Sequence, residues 1–274
     1  MAKTAKAKEK VKGQHPVRNG IFCFLVYAFL FLPIVIVVAN SFNATTSKPY
    51  IAWKGFSFYW YQELFTNDAL LGAFGNTILL AIISTALSTV IGTIGAIGMY
   101  RYNFKGKRVI DALLYIPVVI PEIVLGISQL TMFAGFHIPR GMLTLILAHV
   151  SFQIPFVVFN VRSALTGYDI SIEEASMDLG ANRLRTFFEV TLPILMPGIR
   201  GGALLAFTLS IDDVIISYFV NGTTKTYPLK VMESIKSGVA PDVNALSTFI
   251  LIGTILLVIL TQSNLLKRRK TAKA

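Results

Sequence analysis

Charge is scarce in this 274-residue sequence: Asp, Glu, Lys and Arg together make up 14% of it, against about a quarter in an ordinary soluble domain. With 54% hydrophobic residues and a mean hydropathy of +0.65, the shortage excludes a soluble globular chain. It predicts an all-α, polytopic membrane protein. Acids are the scarcer sign, 14 against 25 Lys and Arg. The excess does not imply nucleic acid, because most of the basic residues flank apolar runs, where membrane topology accounts for them first. Cysteine is reduced to Cys23, which excludes an intrachain disulfide and any Cys-based metal site. No stretch reads G-x-x-x-x-G-K-[ST], so nothing here cradles nucleotide phosphates as a P-loop does. No nucleophile, metal or acid-base constellation marks an enzyme either. Catalytic residues, a cofactor and a resident metal are therefore not expected.

What is present is a series of apolar runs long enough to cross a hydrocarbon layer of about 30 Å: 21–39, 73–100, 109–133, 142–161, 197–220 and 245–262. The first could be a signal peptide, but it is nearly twice the usual h-region length and reads as a retained helix. Six crossings put both termini on one side. Nineteen of the 25 Lys and Arg lie in the N-terminal tail, the second and fourth loops, the start of the fifth run and the C-terminal tail. The positive-inside rule then makes that side the cytoplasm. The expected organisation is a basic tail at 1–20, a transmembrane domain at 21–262 and a second basic tail at 263–274. Pro33, Pro117, Pro121 and Pro155 fall inside the runs and predict kinks near a cavity. The aromatic segment "WKGFSFYWYQELF" in the first outer loop suits a layer at headgroup level.

The fourth loop, 167–198, is too long for a plain turn. "SIEEASMDLG" predicts a short helix with Ser171 and Glu174 as a capping box and Gly180 as its stop. A second helix, "NRLRTFFEVTL", is expected to end at Pro193. The spacing of Glu174-Ala175-Ser176, Gly180, Val190 and Leu192-Pro193 resembles the EAA loop of bacterial ABC importer permeases, with Ser176 in place of the second alanine and Val190 in place of isoleucine. The resemblance extends over most of the chain through "PIVIVVANSFN", "MYRYNFKGK", "FTLSIDDVIISYFV" and "PLKVMESIKSGVAPDVNAL". Within that family the chain resembles the spermidine/putrescine permeases, specifically the second of their two permease subunits. The resemblance implies a type I ABC importer permease fold in the bacterial inner membrane, with a homologous permease subunit, two ATP-binding subunits and an extracytoplasmic solute-binding protein as partners, and membrane lipid around it. It also implies that the loop docks on the ATPase. Glu173, Glu174 and Asp178 would then meet basic residues there, while Ala175 and Ser176 allow close approach.

Charge inside the apolar runs costs about 2.5 to 3.5 kcal/mol at the bilayer centre, so such residues face a bundle interior or water. At 1.5 Å per residue Asp212 and Glu122 lie roughly 22 and 20 Å from the cytoplasmic side, and His149 falls at a similar depth. One layer of acids predicts a cationic solute. A polyamine fits, with its ammonium groups on separate carboxylates and its methylenes on Tyr218 and Phe219. Adjacent residues point about 100° apart, so Asp212 and Asp213 cannot both face one lumen squarely. Ser210, Asp213 and Ser217 share a face, which favours Asp213 for the lumen and leaves Asp212 to cap a helix or bond a neighbouring subunit. Glu122 is either a pathway residue or a protonated packing acid. His149 reads first as an interhelical hydrogen-bonding group and second as part of the pathway. An importer for iron, thiamine or another solute, and an ion-coupled carrier with the acids as a proton relay, are the competing readings.

Overall fold

The computed structural model describes residues 16–46, 52–237 and 241–271. Lys48 and most of the N-terminal basic tail lie outside the described residues. The chain divides into two compact units, 1–66 with 238–274 and 67–237.

The first unit holds α1 (Pro16–Ser41), α2 (Tyr59–Leu64) and α12 (Pro241–Thr271). From Asn19 onward α1 is apolar on every side and none of its most apolar window is buried within the chain, the pattern of a helix whose solvent is lipid or a partner helix. The aromatic segment after it is folded rather than merely laid at an interface. Asn43 Oδ1 accepts from the amides of Thr45 (3.2 Å) and Lys54 (3.0 Å), and Trp60 Nε1 donates to the Thr45 carbonyl at 3.1 Å. Phe42 stacks on Phe56 with ring centroids 5.0 Å apart.

The second unit runs α3 (Asp68–Arg101), α4 (Lys107–Val119), α5 (Glu122–Gly135), α6 (Met142–Leu165), α7 (Ser171–Asp178), α8 (Arg183–Thr186), a π-helical turn (Phe187–Thr191), α9 (Leu192–Asp212), α10 (Ile215–Val220) and α11 (Tyr227–Ser237). Its core lies where α3, α6 and α9 meet, around Ala96, Val157, Val161, Leu195 and Ala206. Small residues set the spacing. A Cβ on Gly92 would stand 2.8 Å from Val157 Cβ, and one on Gly198 2.5 Å from Ala164 Cβ. Without a hydrophobic drive between helices in lipid, such close approach and interhelical hydrogen bonds are what hold them together.

Two of the predicted spans are broken, one of them where prolines predict a kink. The run expected at 109–133 is α4 and α5, bent by 112°. Pro121 pushes the residue before it out of the helical region, and Ile120 is extended at φ −74°, ψ 136°. The run expected at 197–220 stops at Asp212. Asp213 turns extended (ψ 122°) and its carboxylate accepts from the amides of Ile216 (3.2 Å) and Ser217 (2.7 Å). A short side chain that bonds its own backbone competes with the helix ladder, which explains the restart as α10. Four helices are long and apolar enough to cross a membrane, or five with α4 and α5 as one span, among the described residues; the apolar part of α12, Pro241–Leu256, is shorter.

The fourth loop also departs from expectation in detail. Asp169 rather than Ser171 opens α7, with Oδ1 accepting from the Ser171 amide at 2.9 Å. That amide, aided by the Ser171 hydroxyl, holds the Asp169 carboxyl below the usual carboxylate range. The capping box of Ser171 and Glu174 is not formed. Gly180 does end the helix, at φ +92°. The second loop helix does not end at Pro193, since α8, the π-helical turn and α9 are continuous. Pro193 has no N–H to donate one turn back, and the backbone widens there, with the Leu192 amide bonded to the Phe187 carbonyl five residues earlier.

Candidate functional site

Both helix breaks open on one cleft of about 260 Å³. Glu122, the first residue of α5, and Asp212, the last of α9, line it together with Pro117, Leu125, Phe152, Phe156 and Leu209. Their helix ends differ in sign. The amino end of α5 favours the Glu122 carboxylate, whereas the carboxyl end of α9 adds its own partial negative charge to Asp212. The carboxyl end of a broken helix beside an acid is an arrangement that membrane transporters use for cations. The walls beside the acids are aromatic and aliphatic.

The other member of the acidic pair is committed elsewhere. Asp213 reaches the cleft edge but is only 8% exposed, and besides its two amide bonds it stands 3.4 Å from His149 Nε2. His149 is wholly buried and does not line the cleft. Its Nδ1 lies 2.8 Å from Ser210 Oγ and its Nε2 3.1 Å from Ser217 Oγ. The chain of bonds continues through Ser84 Oγ, 3.3 Å from Ser210 Oγ, to Gln153, whose Nε2 donates to Ser84 at 3.2 Å and to the Ala206 carbonyl at 3.1 Å. The face of Ser210, Asp213 and Ser217, expected to border a lumen, is thus an interhelical network. Both aspartates line the cleft, Asp212 at the end of α9 and Asp213 at the cleft edge, where it also caps α10. Phe219 is packed into α5, where a Cβ on Gly126 would come within 2.6 Å of its ring. Tyr218 is exposed and stands edge-on to Phe219 at 5.6 Å between centroids. Neither lines the cleft. Replacing Asp213 with Asn removes one of the two acceptor oxygens at the start of α10 and weakens the contact with His149. Unfolding of the purified protein is expected about 1 to 2 kcal/mol less costly, whereas Asp212→Asn leaves it within about 0.5 kcal/mol; thermal melting in detergent compares the two.

The loop residues separate in the same way. Glu174, Ala175 and Asp178 are exposed on α7, but Glu173 is 7% exposed and turned inward. Its Oε1 accepts from the hydroxyls of Tyr168 and Thr191, each at 2.6 Å, and pairs with the Arg101 guanidinium. Burial first, and then the bond to Glu173, raises the Tyr168 phenol above its usual value, so it stays a donor at neutral pH. Ser176 Oγ lies 3.2 Å from Thr186 Oγ1 on α8 and so faces its own chain. Leu192 packs against the α3, α6 and α9 core, and Pro193 is exposed just beyond it. The sequence reading missed Arg101, Tyr168 and Thr191 as partners of this helix. It also missed the exposed Leu179, 90% accessible beside Gly180, which a large apolar residue at a helix stop could have signalled. No group of three or more His, Cys, Asp or Glu that could hold a metal occurs among the described residues.

The family described as "Binding-protein-dependent transport system inner membrane component" matches residues 88–268. The spermidine/putrescine transport system permease protein PotC of Haemophilus influenzae is 40% identical over 247 residues, covering 90% of this chain and 95% of that protein. The putrescine transport system permease protein PotI of Escherichia coli K12 is 41% identical over 239 residues, 84% of each chain. Among solved structures, a bacterial ABC transporter involved in the import of the acidic polysaccharide alginate has a chain that superposes with a TM-score of 0.71, covering 96% of this chain and 99% of that one; at 15% identity the likeness is one of fold alone.

Proposed function

The chain belongs to the family of binding-protein-dependent transport system inner membrane components, a multi-pass permease rather than an enzyme, and from that premise we propose that it carries polyamines, spermidine or putrescine, inward across the bacterial cytoplasmic membrane. The observation that carries the reading is the pairing of Glu122 and Asp212 at two helix breaks on one cleft with apolar and aromatic walls. A polyamine needs that combination. Its ammonium groups lose hydration on entering the membrane and require charge in return, while its methylene segments require apolar contact. The named relatives at about 40% identity are polyamine permeases, which supports the same choice over an importer for iron, thiamine or another solute.

In this reading a homologous permease completes the pathway, two ATP-binding subunits sit below it and a solute-binding protein delivers cargo from above. Six crossings place both termini in the cytoplasm. ATP closes the ATPase dimer, the loop at 167–198 moves with it through Glu174, Ala175 and Asp178, and the helices swing to open the outer side. The physical gathering of Arg101, Arg162 and the loop at one end of the second unit, where Arg162 Nη1 pairs with Asp111 Oδ1 at 2.7 Å, agrees with that orientation. Reconstitution of the chain with its permease, ATPase and binding-protein partners in liposomes tests the proposal. Spermidine is expected to stimulate ATP hydrolysis and to enter the vesicles, and excess putrescine to compete. Uptake that ignores both polyamines would end the substrate assignment. Uptake that survives ATPase loss yet collapses with the proton gradient would replace the mechanism with an ion-coupled carrier.

A further inference from the structure

α7 is held to the rest of the chain at both ends by glycines in the left-handed region, Gly167 at φ +88° and Gly180 at φ +92°, and a Cβ built on either meets no atom within 4 Å. Such corners turn the chain but do not stiffen it: an unpacked glycine resists little change in φ and ψ. An eight-residue helix hung between two of them transmits a push only if something other than the backbone fixes it. Covalent connection alone would let α7 swing while the membrane helices stayed still.

Besides the Ser176 bond to Thr186 on α8, the fixture that reaches both α3 and the start of α9 is one carboxylate oxygen. Glu173 Oε1 takes the Arg101 guanidinium from the last residue of α3, the Tyr168 hydroxyl from the segment leading into α7, and the Thr191 hydroxyl from the residue immediately before α9. Arg101 and Thr191 lie outside the two glycine corners, whereas Tyr168 lies between Gly167 and α7 and holds the carboxylate from within the hinged segment. α3 and α9 are the helices that pack with α6 to make the core of this unit. A carboxylate this deeply buried is tolerable only while its partners stay in place, so α7 cannot shift against α3 or α9 without exposing an unpaired charge. A surface acid meant to meet a partner would be free and wet, as Glu174 is.

We infer that Glu173 is the positioning residue that makes α7 rigid with the adjacent ends of α3 and α9, converting a helix on two glycine hinges into a lever that moves the bundle. The inference rests on the reading of this chain as an ABC permease whose loop contacts the ATPase. It assigns Glu173 an inward role distinct from the outward one of Glu174 on the same helix. Charge at position 173 serves transmission, not docking.

The test is the ratio of solute moved to ATP hydrolysed, which a merely structural role does not change. In the full reconstituted complex, with spermidine as cargo, Glu173→Gln keeps the shape and loses the charge; spermidine transported per ATP is expected to fall about tenfold. If Glu173→Gln fails to assemble, Tyr168→Phe removes one neutral donor only and is expected to lower the ratio about threefold. A second arm replaces Cys23 with Ser and Arg101 and Glu173 with Cys in a complex otherwise free of cysteine. Bridging the pair with a short bifunctional methanethiosulfonate is expected to restore the ratio, and dithiothreitol to abolish it again. An unchanged ratio in the variants, with both rates falling together, overturns the lever, as does a bridge that restores nothing. A wild-type complex that shows no spermidine uptake overturns the transport reading and the lever with it, so the two failures are told apart by the control.

Discussion

Spermidine uptake by the reconstituted complex is expected to fall about a hundredfold or more when Glu122 and Asp212 are both replaced by their amides. A hydrogen bond to a charged group contributes about 1.5 to 3 kcal/mol, and each carboxylate is expected to meet one ammonium, so losing two removes about 3 to 6 kcal/mol of solute binding in the cleft. Glu122→Gln and Asp212→Asn alone are expected to cost about tenfold to a hundredfold each. The shape of the cleft is retained, because Gln and Asn are nearly isosteric and neither acid makes a side-chain hydrogen bond or ion pair that the fold depends on among the described residues. Initial rates with radiolabelled spermidine measure the effect. The control is Asp213→Asn, which acts through the start of α10 and through His149 and is expected to lower the amount of folded protein more than the affinity for solute. A result in which Asp213→Asn abolishes affinity and the double replacement leaves it intact would reverse the assignment of the two aspartates.

That assignment marks the limit of what the sequence alone could tell. Hydropathy and charge identified the helices, because chain length against bilayer thickness is a one-dimensional constraint. Counting along the helices also predicted Glu122, Asp212 and Asp213 to share a layer, and the three line one cleft. Counting could not give the side on which each acid lies once a helix breaks. Extending one regular helix through 209–219 placed Ser210, Asp213 and Ser217 on a shared face, and the face does form; it turns toward His149 and Ser84 across α6 and α3, with Asp213 alone of the three reaching the cleft edge. The break itself comes from Asp213, whose side chain outcompetes the next helical hydrogen bond, a local choice that periodicity does not register. Pro121 was visible as a helix breaker, but whether a proline kinks a helix or turns it by 112° depends on what packs beyond it. In the loop, Gly180 was legible because its φ leaves almost no other residue comfortable. The inward turn of Glu173 was not, because its partners Arg101 and Thr191 are 72 and 18 residues away, and two adjacent glutamates look alike in sequence.

The same division of labour on α7 sets the second large effect. Glu174→Lys is expected to release the ATPase subunits from the complex and to reduce uptake about a hundredfold, while the permease itself folds and inserts as before. Glu174 lies in the first turn of α7, exposed, with no side-chain hydrogen bond or ion pair among the described residues, so its replacement leaves the chain's own packing intact. Some loss arises within the helix, where a cation near the amino end opposes the dipole by about 0.3 to 1 kcal/mol. The greater loss is across the interface. A charge that reads a basic groove contributes about 2 to 5 kcal/mol when its partner is left buried and unpaired, and reversal adds repulsion to that loss. Copurification of the ATPase with the tagged permease measures the first consequence and spermidine uptake the second, with Glu174→Gln expected to fall between wild type and Lys in both. The comparison with Glu173→Gln separates docking from transmission. Glu174→Lys should lose the ATPase altogether, whereas Glu173→Gln should keep it bound and hydrolysing while little solute moves. If both variants retain the ATPase and both transport normally, α7 is neither the docking helix nor the lever, and force must enter the bundle by another route.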